Sequence, residues 1–155
     1  MPSELSNFEE PHRGISWRDL AVGWTFRTSA RTITEADLVG FVNAAGLAEP
    51  LFLDARHGKP DGSPGRVLPA VLTLSYAEGL VLQSRVLHGT GVALLKIEID
   101  VRAPLCVGDT ITVAVKIADI APTSDGLRAR VATINSVIDQ DNRVVMEYRP
   151  LRLQR

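Results

Sequence analysis

The chain has 155 residues, enough for one domain with a full hydrophobic core, and its 45% hydrophobic and 23% charged residues are those of an ordinary globular protein. Seventeen Lys and Arg against eighteen Asp and Glu give a formal net charge of -1, so the basic surplus of a nucleic-acid binder is missing. A single cysteine, Cys106, excludes an intrachain disulfide and fits a reducing, cytoplasmic setting, and the breaks in every apolar run exclude a membrane-spanning helix.

Residues 1–15 carry Pro2, Pro11, Gly14 and several charges. They read as a flexible tail without the apolar run of a secretory signal, and residues 16–155 read as the single domain. A short strand is expected from Thr25 to Thr32, anchored by Phe26. Thr34 and Asp37 have the spacing of a capping box, and Leu38, Phe41, Val42 and Ala45 follow at helical intervals until Gly46. This predicts a helix over 34–45. Residues 46–66 contain Pro50, Gly58, Pro60, Gly62, Pro64 and Gly65 and read as a long irregular connection, of the kind that often carries function.

Val67 to Arg85 reads as a second helix, with Pro69 near its start where a missing N–H costs little. Its apolar residues surround it on nearly all sides, which predicts a buried helix. Four strands complete the chain. In Ala93–Val101, Leu95, Ile97, Ile99 and Val101 alternate with Lys96, Glu98 and Asp100. Thr110–Asp119 alternates likewise, and 127–139 and 143–153 continue the pattern less cleanly. The connections are short enough for antiparallel neighbours. A buried helix and an antiparallel meander are both satisfied when a curved sheet wraps the helix. That predicts an α+β hot-dog fold. Its open edge strand is protected if two copies pair edge to edge, which predicts a homodimer or an assembly of dimers.

Four segments carry a resemblance. Ile33-Thr34-Glu35-Ala36-Asp37 with Phe41, the loop Gly46 to Asp54, Leu68-Pro69-Ala70 with Leu72 to Ser75, and Arg102 to Thr110 resemble, in this order, the first helix, signature loop, central helix and later strand–turn–strand of the MaoC-like dehydratases. The resemblance runs from about Leu20 to the end. It implies a hot-dog dimer and reversible hydration of a trans-2-enoyl thioester to an (R)-3-hydroxyacyl thioester. The carrier it implies is coenzyme A or acyl carrier protein, as substrate or ligand, with no other cofactor.

The family's signature loop reads Gly-Asp-x-Asn-Pro-x-His-x-Asp, and its Asp and His move the protons. Here the matching positions are Leu47 and Phe52, while Glu49 stands at the Asn position and Gly46, Pro50 and Asp54 are retained. A positioned acid or base contributes roughly 10²–10⁴-fold. Leu47 and Phe52 move no proton and dry the place of the water, so standard hydration is expected to be close to dead while binding survives. The helix start supplies that binding: a thioester carbonyl aimed at the N–H of Ala70 or Val71 is polarised as in an oxyanion hole. Leu47 and Phe52 are expected to line the substrate site.

Three residues are candidate replacements for the lost proton carriers. Glu49 is the new acid of the loop, or a solvated carboxylate before a proline. Asp54 is retained from the family pattern, or caps a turn. His57 reaches the site if the loop folds back, or is solvated. Arg56, Lys59 and Arg66 are candidate contacts for a coenzyme-A phosphate. His12, His57, His88 and Cys106 are scattered and give no metal-ligand spacing. Three functions follow: a hydratase–dehydratase with altered residues, a non-catalytic acyl-thioester binder or silent subunit of a hydratase, and a hot-dog thioesterase with Glu49 as its carboxylate.

Overall fold

The computed structural model describes residues 13–58 and 65–155. Six strands and three helices follow one another as β1 (Thr25–Arg27), β2 (Arg31–Thr32), α1 (Glu35–Ala45), α2 (Pro50–Leu53), α3 (Ala70–Gln83), β3 (Gly91–Val101), β4 (Thr110–Pro122), β5 (Ala129–Ile138) and β6 (Val144–Gln154). The strands form an antiparallel sheet in the order β1-β4-β5-β6-β3, with β2 also on β4. The sheet packs on α3, so the architecture is the expected α+β hot dog.

The expected first strand is two short pieces. Between them the Thr28 hydroxyl accepts from Val113 N–H at 3.0 Å while Thr28 N–H donates to Val113 O at 3.0 Å. A side-chain oxygen thus takes the place of a backbone acceptor in the ladder with β4. The helix expected over 34–45 runs over 35–45. Thr34 is its N-cap, with a reciprocal bond from Asp37, and Gly46 closes it at φ 70°. The second expected helix shortens to α3, with Pro69 as N-cap. The irregular connection contains a turn of helix, α2, and a 3₁₀ turn at Ala55–His57. Of the expected tail, residues 1–12 (with His12) lie outside the described residues. Gly14 N–H donates to His88 O at 2.6 Å and Ile15 N–H to Val86 O at 2.9 Å.

The core is made where α1 and α3 meet β4, β5 and β6. Leu38, Val42, Leu72, Ala77, Val113 and Tyr148 are buried there. β5 alternates buried and less buried residues throughout, β4 does so as far as Ile117, and β6 does so apart from Val145 and Met146, which are buried in succession. β3 departs from this pattern, because Val92, Leu94, Leu95, Ile99 and Val101 are all exposed and only Ile97 is partly covered. α3 is likewise not buried all round, since Val71 and Leu82 face outward. The apolar sequence of both elements therefore exceeds what one copy of the chain covers.

Candidate functional site

A cleft of about 490 Å³ opens beside the N-terminus of α3. Leu51 and Phe52 come from α2, Val67, Leu68 and Ala70 from the segment that starts α3, and Val101 to Leu105 from the end of β3 and the turn beyond. The far walls are tied together by backbone pairing. Leu68 N–H donates to Leu105 O at 2.8 Å, and Val67 forms an antiparallel bridge with Cys106. Asp109 braces the turn by accepting from Cys106 N–H at 2.7 Å.

The helix end offers donors. The first intrahelical acceptor is Pro69 O, which takes Leu72 N–H at 3.0 Å and Thr73 N–H at 3.2 Å. The N–H groups of Ala70 and Val71 have no partner among the described residues. They carry the positive end of the helix dipole, so a carbonyl oxygen in the cleft can be polarised there. Among the described residues that line the cleft, Arg102 is charged and none is a carboxylate or a histidine.

The expected site residues divide. Phe52 and Ala70 line the cleft. Leu47, expected to line the site as well, is not among the cleft-lining residues; it and Phe52 are partly buried and pack against the main core. Val71 is exposed on the neighbouring turn of α3. Glu49 is exposed as the N-cap of α2 and makes no capping bond with its side chain. Asp54 and His57 meet one another, at 3.9 Å from His57 Nδ1 to Asp54 Oδ2. Neither lines the cleft.

Asp54 is occupied. It accepts from Arg56 N–H at 3.0 Å, capping the 3₁₀ turn, and holds the Arg56 guanidinium through Nε at 2.9 Å and Nη2 at 2.8 Å. The Arg56 side chain, then its backbone N–H, holds the carboxyl below the usual carboxylate range. Such a group is a weak base. Of the expected phosphate contacts, Arg56 is thus paired with Asp54, Arg66 is paired with Glu35, and Lys59 lies outside the described residues.

Sequence reasoning missed most of the cleft. Leu51, Val101 and Ala103 to Leu105 are apolar and ordinary, and only the fold brings them beside Ala70. The signal that was available is Arg102 to Thr110, which matched the family without being assigned to the site.

An antiparallel sheet packed on a central helix, with a cleft at that helix's N-terminus, defines a hot-dog protein. The chain belongs to the MaoC-like dehydratases within that fold. The family described as FAS1-like, dehydratase domain region, matches residues 20–148. A 3-hydroxybutyryl-CoA dehydratase of Methylorubrum extorquens is 30% identical over 128 residues, 83% of this chain and 78% of that one. Solved structures share the fold. A MaoC-like dehydratase from Rhodospirillum rubrum superposes with a TM-score of 0.76 at 21% identity, covering 91% of this chain and 97% of the other. An R-hydratase from Pseudomonas aeruginosa gives 0.69 at 20%, covering 92% and 86%. A Mycobacterium tuberculosis protein with a double hot-dog fold gives 0.80 at 19%, covering 91% of this chain and 44% of its own length.

Proposed function

We propose that this protein binds an acyl thioester of coenzyme A or acyl carrier protein in the cleft beside Ala70, and that its active site is a depleted form of the hydratase–dehydratase site. The observation that carries this reading is an apolar cleft that meets two free N–H groups and contains no acid or base among its described lining residues. Polarisation of the thioester carbonyl is retained, while Leu47 and Phe52 stand where the family's resemblance places the proton carriers. Binding and electrostatic stabilisation are separable from proton transfer, so one can persist without the other.

The same observation supports the reading as a silent subunit, whose catalytic residues come from a homologous partner. It weighs against a thioesterase, because a water near the thioester has no carboxylate beside it and Glu49 faces solvent. We further infer a homodimer. The edge of β3 has an unpaired ladder along eleven residues and large apolar side chains on both faces, and a second copy paired there covers both.

The test pairs two measurements on purified protein. Calorimetry with crotonyl-CoA is expected to show binding, and loss of enoyl absorbance is expected to be several orders of magnitude slower than with an active hydratase. No binding at millimolar ligand overturns the reading as a thioester binder. Ordinary hydratase rates overturn the reading of a depleted site.

A further inference from the structure

The buried face of the sheet turns polar beside the C-terminal half of α3. Thr133 and Asn135 of β5 and Tyr148, Arg152 and Gln154 of β6 are each more than nine-tenths buried. Buried polar groups are costly unless they are paired. Here Thr133 Oγ1 donates to Asn135 Oδ1 at 2.7 Å, and Tyr148 and Arg152 donate to Glu78 of α3 at 2.7 Å and 2.6 Å. Gln154 breaks the pattern. Its Oε1 is buried and accepts from no group among the described residues.

The same side chain lines a hollow of about 20 Å³. Val81 of α3, Phe26 of β1 and Ile117 of β4 are among the apolar walls, and Thr133 and Arg152 line it together with Gln154. An internal water requires roughly 10–15 Å³ of such space and about two to four polar partners. The hollow thus has room for one water molecule and not for an alkyl chain. A cavity lined by hydrocarbon alone stays dry, and the three polar residues set this one apart.

The hydrogen-bonding capacities point the same way. Gln154 Oε1 and Thr133 Oγ1 both have lone pairs to offer, since the Thr133 proton is committed to Asn135. Arg152 binds Glu78 through Nη2, and its guanidinium carries N–H groups beyond that nitrogen. Two acceptors and one donor are the complement of a molecule with two protons and a free lone pair. An anion fits worse, because it gives no proton to either oxygen. A small cation fits worse too, because Arg152 repels it.

We infer that one ordered water is a built-in part of this core, donating to Gln154 Oε1 and Thr133 Oγ1 and accepting from Arg152. Water both donates and accepts, so it serves Gln154 whichever end of the amide faces the hollow. Through it the polar bonds run without a break from Glu78 on α3, by Arg152, to Gln154 at the end of β6 and to Thr133 and Asn135 on β5. The hollow shares no lining residue with the cleft, so this site stands or falls apart from the thioester reading.

A crystal structure of the full chain, at a resolution that shows ordered water, tests the inference. A peak is expected within about 3.0 Å of both Gln154 Oε1 and Thr133 Oγ1. Absence of the peak, or a Gln154 Oε1 bonded directly to another side chain, overturns the water. Thr133→Val with Gln154→Met nearly preserves volume and removes both acceptors. This variant is expected to lose the peak, with thermal melting verifying that it folds. A peak that persists in the folded variant overturns the assignment of its partners. If the variant does not fold, the wild-type crystal alone decides.

Discussion

The Arg152 guanidinium on β6 donates to both carboxylate oxygens of Glu78 on α3, at 2.6 Å and 2.5 Å. The Tyr148 hydroxyl donates to the same carboxylate at 2.7 Å. Burial, reinforced by the Glu78 charge, pushes the Tyr148 pKa up, so the hydroxyl keeps its proton and remains a donor. The central helix is thereby fastened to the sheet by polar bonds inside the core. Removing one partner leaves the other charge uncompensated in a site where Arg152 is 8% exposed. Glu78→Ala is expected to lower unfolding free energy by about 3 kcal/mol, and Glu78→Leu with Arg152→Leu to cost much less. Urea unfolding of the single and double variants checks this.

A second polar link joins α1 to α3. Tyr76 donates to Asp37 Oδ1 at 3.0 Å, and Arg31 donates to the same oxygen at 3.0 Å while lying 3.9 Å over the Tyr76 ring. The Thr34 N–H contributes most to lowering the Asp37 pKa from 3.8 to about 2, with the Thr34 and Tyr76 hydroxyls and Arg31 adding to it against the opposing cost of burial. The folded state thus holds this proton less tightly than the unfolded chain. The resulting stabilisation, about 2 kcal/mol at most, is complete above the unfolded value and is lost as pH falls from about 4 to about 2. The stability gap between wild type and Asp37→Asn is expected to stay level above pH 5 and to narrow across that window. A gap independent of pH down to 2 would refute the account.

The same residues show what a sequence can declare. Thr34 and Asp37 advertise the start of α1 because the capping box is a local bargain between neighbours, and it formed as read. The alternation in β5 and in the first part of β4 is equally legible, since one face of each is turned to buried apolar residues. The break at Thr28 was not, because it depends on Val113, 85 residues away. The cleft was hidden for the same reason: its walls come from three distant segments of apolar residues that resemble core. Leu47 and Phe52 were recognisable only through the family pattern, and nothing in their own chemistry marks a site.

β3 was half legible. Its alternation gave the strand, but the expected burial of one face is not met within a single copy, as Leu95 is 50% and Ile99 41% exposed. If a second copy covers them, a charge on this strand must oppose pairing. Leu95→Lys with Ile99→Lys is expected to convert a dimeric sedimentation mass into a monomeric one with the circular dichroism spectrum kept. A wild type that sediments as a monomer at micromolar concentration would remove the basis for the dimer.

Glu49 is the one new acid of the signature loop, and its carboxylate is exposed at the start of α2. If α2 shifts when a thioester binds, this group is the candidate to serve as base. Any turnover of a thioester is then expected to fall at least tenfold in Glu49→Gln, because the amide preserves shape and removes the base. Affinity is expected to change little. An unchanged rate would redirect the search to His57, since Asp54 is committed to Arg56.

The proposed depletion of the site rests on Leu47 and Phe52. Both are partly buried and pack against the core, and neither side chain carries a transferable proton. Crotonyl-CoA hydration by the purified protein is expected to be several orders of magnitude slower than by an active hydratase. Two losses of roughly 10²–10⁴ each need not multiply, because residues that act as a unit are not additive. A single loss is already visible in an absorbance assay. Leu47→Asp with Phe52→His returns both carriers to the positions of the family pattern, of which Phe52 lines the cleft with Ala70, and a gain of at least tenfold is expected if the surrounding shell still orients them. The replaced side chains lose their packing, and a carboxylate set against the core is costly without partners, so thermal melting must accompany the assay. A folded double variant with no gain would show that the shell is lost along with the dyad. Wild-type turnover at hydratase rates would mean that another acid and base reach the cleft when substrate binds.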